Sequence, residues 1–158
     1  MITTVIRSRP SGLTLLGFAA GLLFSGPTLA QPPIQSQDSN VAGIVAEITE
    51  CKRQDGVLTV RVRLRNTGDK DVRVSLISGR NYDSYYVTAG GKKYFILRDS
   101  EKTPLAPQGD GFGNLSAGVA KGASYVWWAK FPAPPADVKK ISYFTPMTPP
   151  FDNVPITD

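Results

Sequence analysis

The sequence predicts an all-β fold, a single antiparallel β-sandwich of about eight strands, and three observations support this prediction. Apolar and polar residues alternate along several short segments, which is typical of strands with one buried face. Turn-forming pairs of Asn, Asp and Gly separate these segments at the spacing of a sandwich. No window after residue 30 shows a sustained helical period, and eleven of the 13 prolines lie in that part. A closed barrel is the alternative.

Residues 1–30 have the order of a secretory signal peptide. Arg7 and Arg9 precede an apolar run from Leu13 to Phe24, and a short break leads to Ala30, where we expect cleavage. The run is too short to span a bilayer of about 30 Å, although an uncleaved anchor is the alternative. The mature protein is therefore expected to be exported, in a periplasm or outside the cell. No stable membrane anchor is expected if the peptide is cleaved.

Residues 31–40 are polar and contain two prolines, so we predict a flexible lead-in outside the core. The sandwich domain is then expected to span residues 41–158. Residues 1–30 hold two of the 18 basic residues and none of the 13 acidic ones, so the mature chain has a net charge of +3. Nucleic acid is not an expected partner, because strong nucleic-acid binders show a more concentrated basic footprint.

The clearest strand runs from Val57 to Asn66, where aliphatic residues alternate with Thr and Arg. An upstream strand is predicted over residues 44–49, and Asp55-Gly56 forms the turn into the next strand. Downstream, a turn at residues 66–69 and alternation over 72–76 predict a hairpin.

Later strands are predicted at residues 85–88, 93–97, 125–131, 138–144 and 154–157. Gly90-Gly91 marks the turn between the first two of these strands. Residues 99–121 are expected to form a long loop. Pro155 predicts that the last strand lies at a sheet edge, since proline cannot donate to a central ladder.

Four segments together resemble a known group of domains. They are Leu58–Gly68 with its terminal Asn-Thr-Gly, Gly90–Phe95 with Gly-Gly-Lys-Lys, Leu115–Gly118, and Phe131-Pro132. Their order resembles the immunoglobulin-like domains of unknown function in exported bacterial proteins and lipoproteins, over residues 41–157. The resemblance implies an immunoglobulin-like sandwich with a non-catalytic role at the envelope or cell surface. It implies no site residues.

Arg61, Arg63 and Arg65 are predicted to project from one face of one strand, and Arg73 on the next strand would extend the row. Such a row can bind a polyanion. The alternative is a solvated face paired with acidic neighbours on adjacent strands. Those neighbours are Glu47, Asp69 and Asp71.

Trp127 and Trp128 are adjacent in a predicted strand, so their side chains point to opposite faces and one belongs to the core. Alternation alone leaves open which of the two is buried, and we name Trp128 as the candidate binding residue. It either lies under the long loop or is exposed beside Tyr82, Tyr85 and Tyr86. Exposed aromatic rings stack on sugars or anchor a protein partner.

The remaining chemistry is sparse. The absence of histidine excludes Ser-His-Asp and Cys-His sites and histidine metal centres. Asp99, Glu101 and Asp110 are candidates for a calcium site or an acid–base pair, but their pattern matches no defined loop, and polar loop residues are the simpler interpretation. No metal or cofactor is expected. Cys51 either forms an intermolecular disulfide or is a buried small hydrophobe.

These observations predict an exported, non-catalytic interaction module of the cell envelope, which binds a protein or an envelope polymer. It is expected to be a monomer or a weak homodimer. One alternative is a carboxylate-dependent glycan hydrolase, and another is a structural envelope subunit that dimerises through Cys51.

Overall fold

The structure is a computed structural model and describes residues 32–158. The predicted signal peptide, residues 1–30, lies outside the described residues. Within the described range the chain forms ten strands and a short 3-10 turn at Tyr82–Ser84. The strands are β1 (Gln35–Asp38), β2 (Ile44–Gln54), β3 (Val57–Asn66), β4 (Val72–Ile77), β5 (Tyr86–Ala89), β6 (Lys92–Phe95), β7 (Leu115–Val119), β8 (Ser124–Pro132), β9 (Lys140–Phe144) and β10 (Phe151–Pro155).

The strands form three open antiparallel sheets. One sheet has the order β1-β2-β3-β8, a second has the order β10-β9-β5-β6, and β4 pairs with β7 in a third. The all-β prediction is confirmed. None of the three sheets closes, so the part of the chain that the structure describes is sandwich-like and not a barrel.

A single hydrophobic core contains side chains from all three sheets. Trp127 is its largest fully buried side chain. Its ring centroid lies 4.5 Å from that of Tyr85. Its Nε1–H donates to the Tyr143 hydroxyl at 3.2 Å, so the indole joins β8 to the opposite sheet both by packing and by a hydrogen bond.

Two predicted hairpins are confirmed. β2 pairs with β3 across Asp55-Gly56, and β5 pairs with β6 across Gly90-Gly91. All four turn residues have positive φ, between 51° and 76°. Asp tolerates this conformation and Gly adopts it freely, which explains why both turns were visible in the sequence.

The predicted hairpin between β3 and β4 is wrong. β3 pairs with β2 and β8, while β4 pairs with β7. Asn66 accounts for the difference, because its buried amide donates to the Lys70 carbonyl at 2.7 Å and to the Val119 carbonyl at 2.9 Å. These bonds hold the turn against the end of β7, so the chain leaves the sheet instead of folding back along β3.

The flexible lead-in and the long loop also need correction. Residues 35–38 form β1, which pairs with β2, and residues 115–119 form β7. The sequence of β1 has no apolar alternation. Its stability comes from pairing and from the Gln35 and Gln37 amides, which donate to the Asp152 and Pro150 carbonyls at the start of β10. β10 itself is an edge strand, as Pro155 predicted.

Candidate functional site

The outer face of the β1-β2-β3-β8 sheet carries the predicted arginine row, but each arginine has an acidic partner. Arg63 Nε lies 2.6 Å from Glu47 Oε2, and Arg65 Nη2 lies 2.8 Å from Glu47 Oε1. Arg61 Nε lies 3.2 Å from Glu50 Oε2. Both glutamates belong to β2, so the guanidinium groups are drawn toward β2 and away from β8.

Arg73 does not belong to this row. It lies on β4, which is in the two-stranded sheet with β7. The prediction that it extends the row depended on the β3–β4 hairpin, and the absence of that pairing places it elsewhere. Of the acidic neighbours considered, Glu47 is an ion partner, whereas Asp71 accepts a hydrogen bond from the Lys121 backbone N–H at 2.9 Å.

Glu47 is the one buried carboxylate among the described residues, with 4% of its side chain exposed. Burial opposes ionisation, but hydrogen bonds from Arg65 and Arg63, together with their charges, hold the pKa of Glu47 below its ordinary value of 4.5. The ion pairs of Glu47 with Arg63 and Arg65 therefore stabilise the fold at pH values above the pKa of Glu47 in the unfolded chain. This stabilisation is lost as the pH falls through the pKa of Glu47 in the folded protein.

We expect Glu47→Gln to lower the free energy of unfolding by about 1–3 kcal/mol at neutral pH, since the charge-assisted hydrogen bonds are weakened. The difference from wild type should shrink as the pH falls below about 4.5. Urea unfolding of both proteins between pH 7 and pH 3 measures it. A difference that stays constant over this range would contradict the assignment.

Trp128 lies on the same outer face as the arginines. It is the cross-strand partner of Arg61, and Val126 is the partner of Arg63. Trp127 is the buried tryptophan, Trp128 is half-buried, and Val126 is 49% exposed. The structure therefore joins two predicted candidates, the arginine row and Trp128, on one surface.

The predicted tyrosines do not join that surface. Tyr82 and Tyr85 are buried, and their hydroxyls donate to the Pro107 and Leu76 carbonyls at 3.0 and 2.6 Å. Both rings belong to the core, so the prediction of exposed tyrosines beside Trp128 is wrong for Tyr82 and Tyr85. Tyr86 lies on the other large sheet, where it pairs with residues of β6 and β9.

Tyr86 is part of an aromatic cluster that sequence reasoning missed. Its ring stacks on Phe144 at 4.5 Å between centroids, and Phe95 lies 6.0 Å away. Lys93 Nζ lies 4.4 Å from the centroid of Tyr86. Tyr86 and Phe144 stack face to face as a stabilising cross-strand pair, whereas the Phe95 ring is tilted by 53° to Tyr86 and is 46% exposed. Only the register of three strands brings these residues together.

β8 forms an edge of its sheet, and most of that edge is open. Lys130 is covered, because its N–H donates to the Leu105 carbonyl and its carbonyl accepts from the Leu97 N–H. The ladder between β8 and β3 has no register shift. By alternation, the backbone groups of Ser124, Val126 and Trp128 also point away from β3. None of them has a hydrogen-bond partner within residues 32–158.

Cys51 is completely buried on β2. Burial raises the pKa of its thiol to about 12, although the charge of nearby Arg53 opposes this. An intermolecular disulfide requires an accessible thiolate. The predicted disulfide role is therefore wrong, and the buried alternative describes this residue.

Two of the three candidate carboxylates, Asp99 and Asp110, accept hydrogen bonds from the backbone of the 99–114 segment. Asp99 Oδ1 accepts from the backbone N–H groups of Glu101 and Thr103, each at 2.9 Å. Asp110 Oδ1 accepts from those of Phe112 and Asn114, at 3.0 and 2.9 Å. These contacts hold turns and give the hydrolase alternative no support.

The described residues offer few other clues to function. No helix within 32–158 has the length and hydrophobicity that a membrane crossing requires. The same range contains no group of three or more Cys, Asp or Glu side chains placed to hold a metal ion. No protein-family model, curated protein sequence or solved structure matches the chain.

Proposed function

We propose that this chain is a non-catalytic interaction module of immunoglobulin-like architecture, exported to the cell envelope, that binds a protein partner along β8. The order of the strand and turn motifs along the sequence supports the immunoglobulin-like architecture, and the pattern of residues 1–30 supports export. The observation that carries the proposal is the open edge of β8 from Ser124 to Trp128.

An extended segment of a partner is the occupant that this edge suits best. A strand placed beside β8 would supply the N–H and C=O groups that its backbone lacks. Its alternate side chains would lie next to Val126 and Trp128 on the outer face. Because the arginines turn toward β2, Val126 and Trp128 form an apolar stretch on this side of the face, between Ser124 and Lys130.

Two other sheet edges are protected. β10 carries Pro155, and β1 is held by its Gln35 and Gln37 side chains on β10. β8 has no proline before its last residue. Proteins normally block a long edge, since it pairs readily with another chain. An unblocked edge beside an exposed valine is therefore a feature that a partner would use.

Binding of an envelope polymer through the arginines is the second candidate. The side chains of Arg61 and Arg65 are 54% and 45% exposed. Their pairing with Glu50 and Glu47 reduces the positive potential available to a polyanion. Salt dependence separates the two candidates, because strand addition is insensitive to moderate salt and polyanion binding is not.

Site-specific photo-crosslinking in the native cell envelope tests the proposal. A photoreactive residue replaces Val126 in the full chain, and the matched control carries it at Lys92, which is exposed on the other large sheet. We expect a protein adduct from position 126 that persists at raised salt, and no adduct from position 92.

Two changes at Trp128 then isolate the backbone contribution. Trp128→Pro removes an outward N–H together with the side chain, whereas Trp128→Ala removes the side chain alone. We expect the adduct to disappear with proline and to persist, weakened, with alanine. Ser124→Pro is the second edge variant if circular dichroism shows that Trp128→Pro is unfolded. An undiminished adduct in a folded proline variant would reject strand addition. Loss of the adduct only in the Arg61/Arg63/Arg65→Ala triple variant would also reject strand addition.

A further inference from the structure

A second region with binding features includes no residue of β8 in its lining. A groove of about 390 Å³ opens between the β4–β5 connection and the segment 98–113. Its lining includes three cations, Arg80, Arg98 and Lys102, and one carboxylate, Asp110. We call it the basic groove. Sequence reasoning assigned none of the three cations to a site, because they are distant in the chain.

Arg80 is fixed in place from several directions. Its backbone N–H donates to the Gly113 carbonyl at 2.9 Å, and its Nη2 donates to the Gly111 carbonyl at 3.1 Å. The stem of the side chain lies against Gly113, where any Cβ would overlap Arg80 Cγ. Glycine at position 113 is therefore required to seat this arginine, and the guanidinium keeps unused N–H donors.

The other two cations are tied to each other through the backbone. Arg98 Nη1 donates to the Lys102 carbonyl at 3.2 Å. Arg98 Nη2 also lies 3.4 Å from Asp83 Oδ1, in an exposed ion pair that water screens. Within residues 32–158, neither Arg80 nor Lys102 forms a salt bridge. Two of the three positive charges are thus uncompensated.

Backbone conformation also distinguishes this groove. Four non-glycine residues of the described range have positive φ: Asp55, Arg80, Lys102 and Asn153. Asp and Asn adopt this region comparatively easily, whereas Arg and Lys do so rarely. Both of the unusual residues, with φ of 61° and 65°, line the basic groove. Strained residues of this kind persist where surrounding structure holds them, commonly at ligand sites.

The carboxylate in the lining does not neutralise the groove cations by direct contact. Asp110 Oδ1 is occupied by the backbone N–H groups of Phe112 and Asn114, and no salt bridge joins Asp110 to a described cation. Gln108 donates to the Pro104 and Ala106 carbonyls. The guanidinium and ammonium groups of the lining therefore keep N–H donors that no side chain of the groove accepts. An oxyanion would supply the acceptor oxygens.

We propose that the basic groove binds a multiply charged oxyanion, a phosphate group, through Arg80, Arg98 and Lys102. Guanidinium groups form bidentate hydrogen bonds to phosphate oxygens, and a lysine adds a point charge. The phosphate arrives either as the free ion or as part of a larger phosphorylated molecule. Phe112 is 84% exposed and stands in the chain between two lining residues, Gly111 and Gly113, so we name it as the candidate contact for the organic part of such a molecule. This proposal does not rest on the proposed function, because no residue of β8 lines the groove.

Amide chemical shifts of the full chain, titrated with inorganic phosphate and separately with glycerol phosphate, test the proposal. Sodium chloride at matched ionic strength controls for screening. We expect saturable shifts of the Gly111 and Gly113 amides with phosphate and not with chloride. Tighter binding of glycerol phosphate would identify a phosphorylated molecule as the ligand, and equal binding would identify the free ion.

Charge-removing variants complete the test. Arg98→Gln and Lys102→Gln should each raise the dissociation constant about tenfold, the loss expected for one charge-assisted hydrogen bond. Lys70→Gln, an exposed lysine outside the groove lining, should leave it unchanged. Arg80→Gln is a poorer probe because Arg80 also supports the loop. Shifts that are equal in chloride and phosphate, or that survive both groove variants, would overturn the proposal.

Discussion

Replacing Trp127 with alanine is expected to lower the free energy of unfolding by about 3–5 kcal/mol. The indole is fully buried, packs on Tyr85 at 4.5 Å and donates to the Tyr143 hydroxyl. Alanine would leave a large cavity and an unpaired buried hydroxyl, and both effects destabilise the fold.

Its neighbour provides a matched control. Trp128→Ala removes the same side chain from the outer face, where it is half-buried, and should cost about 1 kcal/mol or less. Urea unfolding followed by circular dichroism measures both, since each variant loses a tryptophan fluorophore. If the alanine variant does not fold, Trp127→Phe replaces it in the comparison, with a smaller expected loss in the free energy of unfolding. Similar losses for the two positions would contradict the assignment of Trp127 to the core.

Replacing Asn66 with alanine should cost about 2–4 kcal/mol. Its amide donates to the Lys70 and Val119 carbonyls, and its Oδ1 accepts from the Gly68 N–H at 2.9 Å. Asn66 is 1% exposed, so alanine would leave buried backbone groups without partners. The end of β3, the following turn and the end of β7 would all lose their common anchor.

Two comparisons make this prediction specific. Asn66→Asp can still accept from Gly68 but cannot donate to the carbonyls, so it should be nearly as destabilising as alanine at neutral pH. Asn40→Ala removes one exposed hydrogen bond to the Pro146 carbonyl and should change stability by about 0.5 kcal/mol. The role of Asn66 would be rejected if its alanine variant lost no more stability than the Asn40 variant.

The open edge and the basic groove could not have been foreseen from the sequence alone. Predicting the first requires knowing which strand lies beside β8 and how far residues 97–105 cover it. Predicting the second requires knowing that Arg80 lies opposite Arg98 and Lys102. One missed signal was available in the sequence. Lys130 is two residues after Trp128, so alternation places both side chains on the same face of the strand. Because a lysine belongs on the solvent-exposed face, this indicates that Trp128 lies on the outer face.

Local features of this protein follow directly from its sequence. Alternation along Val57–Asn66 placed four aliphatic residues on one face, and the turns at Asp55-Gly56 and Gly90-Gly91 defined two hairpins, because side-chain direction and φ preference are properties of neighbouring residues. The remaining features arise from tertiary packing. It pairs the three arginines with two glutamates of β2, buries Tyr85 and Cys51, and turns β4 away from β3. Those outcomes depend on contacts between segments far apart in the chain, and period-two alternation does not specify which strands become neighbours.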